Sequence, residues 1–271
     1  ISMSFFETVG LNQLRSRATT IISLIVYLFP NLEIVESFLK YCIGWIQTHN
    51  SEEPQLYADV LSIFIIPDES GIVPSRRLLF FNSFLELYSQ NLDAPPGIQM
   101  YLMMVLVSNM PKNPLIPESQ YSMIGPIIEK YNSLQIQDDV AICIISIFIL
   151  KLYFIGQSQY ADLVPQCFNN LMQMMFSQNV GQSLQNDALL CIKKVIFLNQ
   201  EEGFALIRQN NFYQKLFTDL QRTIPRFQKP YLFILSLACE FDKDNFDQRT
   251  EFSRFVIQQI IHIDGIESEH E

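Results

Sequence analysis

Apolar residues recur at intervals of three and four positions along almost the whole chain. Two clear examples are Leu32, Val35, Phe38, Leu39, Ile43 and Ile46, and Leu163, Val164, Phe168, Leu171, Met172 and Met175. This spacing brings the apolar side chains to one face of an α-helix. Strand-like alternation bounded by hairpin turns is absent. The pattern therefore predicts an all-α fold.

Prolines and capping residues divide the periodic stretches into about twelve predicted helices. Most prolines fall between apolar runs or in the first turn of one, as Pro30, Pro54 and Pro74 do. A proline is tolerated there because the first N–H groups of a helix have no partner within the helix. The predicted helices lie near 11–28, 32–48, 54–66, 75–91, 97–109, 118–132, 138–155, 159–178, 182–199, 203–222, 228–240 and 249–263.

The predicted helices form pairs that recur at a nearly constant interval. The pairs begin near 11, 54, 97, 138, 183 and 228, so the intervals are 41 to 45 residues. Armadillo and HEAT repeats have a period of about 40–47 residues. Because one helix pair cannot bury its own apolar face, such units stack and share a core. We therefore expect an α-solenoid of about six repeats over 1–263, followed by an acidic tail at 264–271. The alternative is an ordinary helical bundle.

Residues 182–222 carry the clearest resemblance to an armadillo repeat. The segment begins QSLQNDALLCIKKVIFLNQEEGFALIRQNNFYQKLFTDL, with a small residue at Ala188 and a polar break near Asn199. The resemblance implies three helices, at roughly 182–199, 201–210 and 212–222. The segments DDVAICIISIFILKLYF and YADLVPQCFNNLMQMMF together resemble a second copy, and residues 228–263 resemble a more diverged third. The resemblance to armadillo repeats also implies a right-handed superhelix in which the long third helix of each repeat lines a concave groove.

Proteins of this family usually act by binding, so the resemblance implies a non-enzymatic scaffold that holds a peptide or a partner helix. The candidate groove residues follow helical spacing toward one face of two helices. They are Ile147 and Lys151 on one helix, and Asp187, Leu190 and Lys194 on the next. The alternatives are a nuclear transport adaptor and a structural module that associates with itself.

The nuclear transport alternative lacks its usual residues. Nuclear import adaptors of the armadillo family hold basic peptides with repeated Trp and Asn side chains on the groove helices. This chain has a single Trp, Trp45, which lies on a helix that we do not expect in the groove. The corresponding positions are occupied by Leu190 and Lys194 on one helix, and by Cys143 and Ile147 on another.

The charge of the chain indicates which class of partner it can bind. The net charge is −10, and residues 1–179 carry 15 acidic and 8 basic side chains. Nucleic acid is disfavoured as a partner because phosphate binding needs clustered Lys and Arg. A basic protein segment is favoured. A smaller basic patch, Arg222, Arg226 and Lys229, could hold a phosphate or an acidic peptide, although cations are also expected at a helix end. We expect Arg76–Arg77 to be a solvated pair.

Motifs for catalysis, metal binding and membrane insertion are missing from the sequence. The three His are isolated, no CxxC occurs, and no glycine-rich phosphate loop or nucleophile elbow is present. We expect no enzyme activity, cofactor or metal. The five Cys lie among apolar neighbours, as reduced thiols of a cytoplasmic or nuclear protein do. The longest apolar run, Val140–Leu150, has 11 residues, which is short of the roughly 20 that span a membrane.

Overall fold

A computed structural model describes residues 12–28, 31–49, 54–65, 74–111, 118–133, 138–208, 212–223 and 228–268. Within these ranges the chain forms thirteen α-helices and one 3₁₀ helix, and no strand. The predicted all-α fold is confirmed. The helices belong to two compact units, residues 1–161 and 162–271. The single domain that we expected over 1–263 stays a prediction, and each unit is described by itself.

Unit 1 contains seven helices in its described residues. They are α1 (Asn12–Leu28), α2 (Leu32–His49), α3 (Pro54–Ser62), α4 (Pro74–Gln90), α5 (Pro96–Asn109), α6 (Glu118–Ser133) and α7 (Asp139–Phe154). Most ends of these helices lie within two residues of the predicted ends, although α3 stops at Ser62 instead of at residue 66. Pro54, Pro74 and Pro96 each occupy the first position of a helix. The carboxylate of Asp138 caps α7 by accepting a hydrogen bond from the Val140 N–H at 2.9 Å.

Alternate helices of unit 1 pack side by side. Helices α1, α3, α5 and α7 contact one another in succession, and α4 contacts α6. Two hydrogen bonds join alternate helices: Gln47 of α2 donates to Gln90 of α4 at 3.3 Å, and Lys151 of α7 donates to the Val107 carbonyl of α5 at 3.1 Å. These partners are separated by 43 and 44 residues. The repeat of 41 to 45 residues stays a prediction.

Two buried arginines cap the carboxyl ends of α1 and α5. Arg76 and Arg77 open α4, yet they are only 7% and 5% exposed. Arg76 donates to the Tyr27 carbonyl at the end of α1, and Arg77 donates to the Ser108 carbonyl at the end of α5 at 2.8 Å. The last carbonyls of a helix have no partner within the helix and carry partial negative charge, so a cation stabilises them. Our expectation of a solvated arginine pair was therefore wrong.

Unit 2 begins within a 3₁₀ helix, Ser158–Leu163, and contains six α-helices in its described residues. They are α8 (Val164–Met174), α9 (Gln182–Leu198), α10 (Gln200–Arg208), α11 (Phe212–Arg222), α12 (Gln228–Phe241) and α13 (Arg249–Ser268). The stretch predicted as one helix at 203–222 forms two, close to the bounds that the armadillo resemblance implies. Helix α13 continues to Ser268, into the segment predicted as a tail.

Helix α9 is the centre of unit 2, where it contacts α8, α10 and α12. Asn199 caps the start of α10: its side-chain oxygen accepts from the Glu202 N–H at 3.3 Å, and its side-chain amide donates to the Glu202 carboxylate at 2.8 Å. Helix α10 crosses α9 so closely that a Cβ on Gly203 would lie 2.8 Å from the Ile196 Cα. Position 203 therefore requires glycine.

A buried carboxylate joins three segments of unit 2. Asp242, after α12, is 4% exposed and accepts hydrogen bonds from Arg208 at 2.5 Å, Tyr213 at 2.6 Å and Asn245 at 2.9 Å. Burial and the hydrogen bond to Asp242 raise the pKa of Tyr213, so its hydroxyl remains a donor. The Asp242 cluster thus ties α10 and α11 to the end of α12.

Candidate functional site

Unit 2 contains an open cleft of about 720 Å³ between the α8–α9 turn and α11. One wall is formed by residues 175–178 together with Gln185 from the first turns of α9. The other wall is formed by Gln214, Lys215, Thr218, Asp219 and Arg222 of α11. A cleft of this volume has room for a few residues of a peptide.

The α11 wall follows from the amphipathic sequence of that helix. Phe212, Tyr213, Leu216, Phe217 and Leu220 are buried and hold the helix against its neighbours. Lys215, Thr218, Asp219 and Arg222 are spaced by three, four and seven positions from the first, so they share the opposite face. Packing of the apolar face therefore turns this polar row toward the cleft.

The opposite wall is held in place by hydrogen bonds and by an aromatic contact. The Gln185 side-chain amide donates to the Ser177 carbonyl at 2.9 Å, and the Asn179 N–H donates to the Ser177 hydroxyl at 3.1 Å. The Phe176 ring meets the Phe212 ring edge to face, with centroids 5.5 Å apart. These contacts fix the turn, so the cleft exists before any ligand binds.

The charges in the cleft are two cations and one carboxylate. Lys215 and Arg222 are exposed, whereas Asp219 is half-buried. The Asp219 carboxylate accepts a hydrogen bond from the hydroxyl of Tyr231 on α12. Burial, followed by the hydrogen bond to Asp219, raises the pKa of Tyr231, so the phenol stays protonated and continues to donate. The one carboxylate of the wall is thus already hydrogen-bonded within the protein.

The basic patch predicted from the sequence is only partly represented in this cleft. Arg222 lines the cleft. Lys229 is exposed in the first turn of α12, and Arg226 lies outside the described residues. The spacing of Lys215, Thr218, Asp219 and Arg222 along one helix face is the signal that could have located the cleft. The sequence analysis instead grouped Arg222 with Arg226 and Lys229, which follow it along the chain.

The predicted groove residues fall into different units. In unit 1, Ile147 is 0% exposed, so its side chain belongs to the core and lines no surface groove. Lys151 is half-buried and donates to the Val107 carbonyl of α5. In unit 2, Asp187 and Leu190 are half-buried on α9 and Lys194 is exposed.

Ile147 could not be placed by its sequence pattern because α7 is apolar on nearly every side. Ten of the residues of this helix are buried, among them Ile144, Phe148 and Leu152. A helix without a polar face gives no indication of which side chains reach solvent. Its burial corrects the expectation that Ile147 offers a binding surface.

The described ranges offer few side chains suited to metal binding or nucleophilic chemistry. The described side chains include no group of three or more His, Cys, Asp or Glu that could hold a metal ion. The five cysteines all lie in the described ranges and form no disulfide, and four of them are buried. Burial raises the pKa of Cys42 to about 12, so its thiol is a poor nucleophile. Among the helices described, none combines the length and apolar character needed to cross a bilayer.

Comparisons with protein-family models, with curated proteins and with solved structures found no match to this chain. Its function is therefore argued from its own residues.

Proposed function

We propose that this chain is a non-enzymatic protein-binding module that holds a segment of a partner protein in the cleft of unit 2. The observation that carries the proposal is the preformed cleft, whose two walls are each fixed by internal contacts. A preorganised wall loses little conformational freedom on binding, which favours affinity. The amides, hydroxyls and cations that line the cleft are suited to a peptide backbone and its polar side chains.

The architecture that we propose is a right-handed α-solenoid of armadillo-like repeats. In unit 1, the row of α1, α3, α5 and α7 and the hydrogen bonds between positions 43 and 44 residues apart support it. In unit 2, the contacts of α9 with α10 and of α10 with α11 support the armadillo-like unit expected over 182–222. Asp187, Leu190 and Lys194 remain candidates for a second contact surface on α9. Such a module is expected in the cytoplasm or the nucleus.

The proposal is tested by filling the cleft. Thr218 is half-buried at the centre of the α11 wall, so Thr218→Trp places an indole where a ligand would lie. Ser236→Trp is the matched control, because Ser236 is exposed on α12 and does not line the cleft. We expect proteins that co-purify with the wild type and with Ser236→Trp to be lost from Thr218→Trp. An unchanged set of co-purifying proteins would contradict the proposal.

Self-association is a second candidate function, supported by an exposed apolar stripe on α1. Ile21, Leu24, Ile25 and Leu28 are 58%, 56%, 41% and 71% exposed and share one helix face. Contiguous apolar surface of this kind usually marks an interaction site.

If α1 pairs with α1 of a second copy, light scattering will show a mass that rises with concentration. Leu24→Glu should abolish the rise, whereas Phe241→Glu, which replaces an exposed apolar residue on α12, should not. A constant monomer mass would rule this function out.

A further inference from the structure

We propose that the cleft of unit 2 takes an acidic peptide segment, with carboxylates of the peptide pairing with Lys215 and Arg222. This inference rests on the proposed function, since it specifies the chemistry of the segment held by the same cleft. Both cations line the cleft and both are exposed. Each can therefore meet a ligand without first losing a buried partner.

The separation of the two cations suits an extended ligand. Lys215 and Arg222 are seven residues apart on one helix, which places their Cα atoms about 10 Å apart along its axis. An extended chain advances about 3.3 Å per residue, so residues three positions apart span the same distance. The flexible Lys and Arg stems accommodate carboxylates spaced two to four residues apart along such a segment.

Local charge complementarity favours an acidic ligand over a basic one. A basic segment would find a single carboxylate in the cleft, Asp219, which already accepts the hydroxyl hydrogen bond of Tyr231. An acidic segment would find two exposed cations instead. The net charge of −10 favours a basic partner when the chain is taken as a whole. At physiological ionic strength, however, charges beyond about 8 Å are screened, so the side chains of the cleft decide which ligand is held there.

The remaining polar groups of the cleft can bind the peptide backbone. Gln178 and Gln214 are exposed on opposite walls, and an amide side chain both donates to a carbonyl and accepts from an N–H. Two amides facing the same space can hold an extended segment from both sides. Lys215 and Arg222 then select segments that carry acidic side chains.

The test uses the full chain and labelled homopolymer peptides at physiological ionic strength, where charges outside the cleft are screened. Fluorescence anisotropy measures the affinity for octaglutamate, octalysine and octaglutamine. The variant is Lys215→Gln with Arg222→Gln, and its charge-matched control is Lys243→Gln with Arg254→Gln, since both control residues are exposed and neither lines the cleft. Arg222 also lies in the last turn of α11, where a cation stabilises the helix. The single variant Lys215→Gln, away from that end, is therefore measured beside it, and thermal melting checks folding.

We expect octaglutamate to bind the wild type and the control equally, and the double variant to bind it roughly five- to thirtyfold more weakly. Lys215→Gln alone should account for part of the loss. Equal affinity of the double variant would overturn the inference, as would tighter binding of octalysine or no binding of octaglutamate. Displacement by inorganic phosphate at constant ionic strength would point to a free-anion site and would also overturn it. If Thr218→Trp still loses a partner in any of these cases, the proposed function stands and only the ligand class fails.

Discussion

Replacement of Asp242 by alanine should destabilise unit 2 strongly, because this buried carboxylate accepts hydrogen bonds from three side chains. The hydroxyl of Tyr213, a residue only 5% exposed, would lose its acceptor, and an unsatisfied buried donor costs about 1–3 kcal/mol. Arg208 would lose its ion pair, but its side chain is 39% exposed, so water screens the pair and limits its contribution to about 1 kcal/mol. Asn245 adds little because it is exposed. The sum is a loss of about 3 kcal/mol.

Urea denaturation followed by circular dichroism measures this loss. With a slope of about 2–3 kcal/mol per molar urea, the midpoint should fall by roughly 1 M. Tyr213→Phe removes only one donor and should cost about 1 kcal/mol. Asp244→Ala is the matched control, because Asp244 lies two positions away and is exposed, and it should change stability by less than about 0.5 kcal/mol. If Asp242→Ala destabilises no more than Asp244→Ala, the three hydrogen bonds do not stabilise the fold as argued.

Two further predictions concern buried groups of the chain. Arg77→Met leaves the Ser108 carbonyl without its guanidinium donor and should cost about 2 kcal/mol, which lowers the melting temperature by roughly 4–8 °C. Lys40→Met, at an exposed position on α2, should not lower it, and equal melting of the two variants would contradict the capping role. Ellman's reagent should modify half-buried Cys239 well before Cys42, whose pKa is raised to about 12 by burial. Mass spectrometry of the labelled peptides decides this, and equal labelling of both thiols would refute it.

The positions of the helices could be predicted because periodicity is a local property. The stretch predicted at 32–48 forms α2, Leu32–His49, and the stretch at 182–199 forms α9, Gln182–Leu198. An amphipathic stripe and a breaker at each end are sufficient to locate such a helix. The fold class follows from the absence of any competing strand pattern.

The environment of a side chain was harder to predict when its partners lie far along the chain. Arg76–Arg77 resembles a solvated pair in the sequence, because its acceptors on α1 and α5 are 49 residues before and 31 residues after it. The cleft was missed for a similar reason. One of its walls was predicted as the last turn of a helix over 159–178, whereas α8 ends at Met174. The turn that follows is held by Gln185, and the facing wall comes from α11.

The capping of α1 by Arg76 has a consequence for synthesis of the chain. The carbonyl of Tyr27 accepts from a residue that is made 49 positions later. At about 5–20 residues per second, a ribosome adds those positions in roughly 2–10 s. Helix α1 can form as soon as it emerges, but until α4 follows, the Tyr27 carbonyl lacks its donor Arg76. A nascent chain arrested between these two helices would therefore expose an unfinished helix terminus, where chaperones have time to bind.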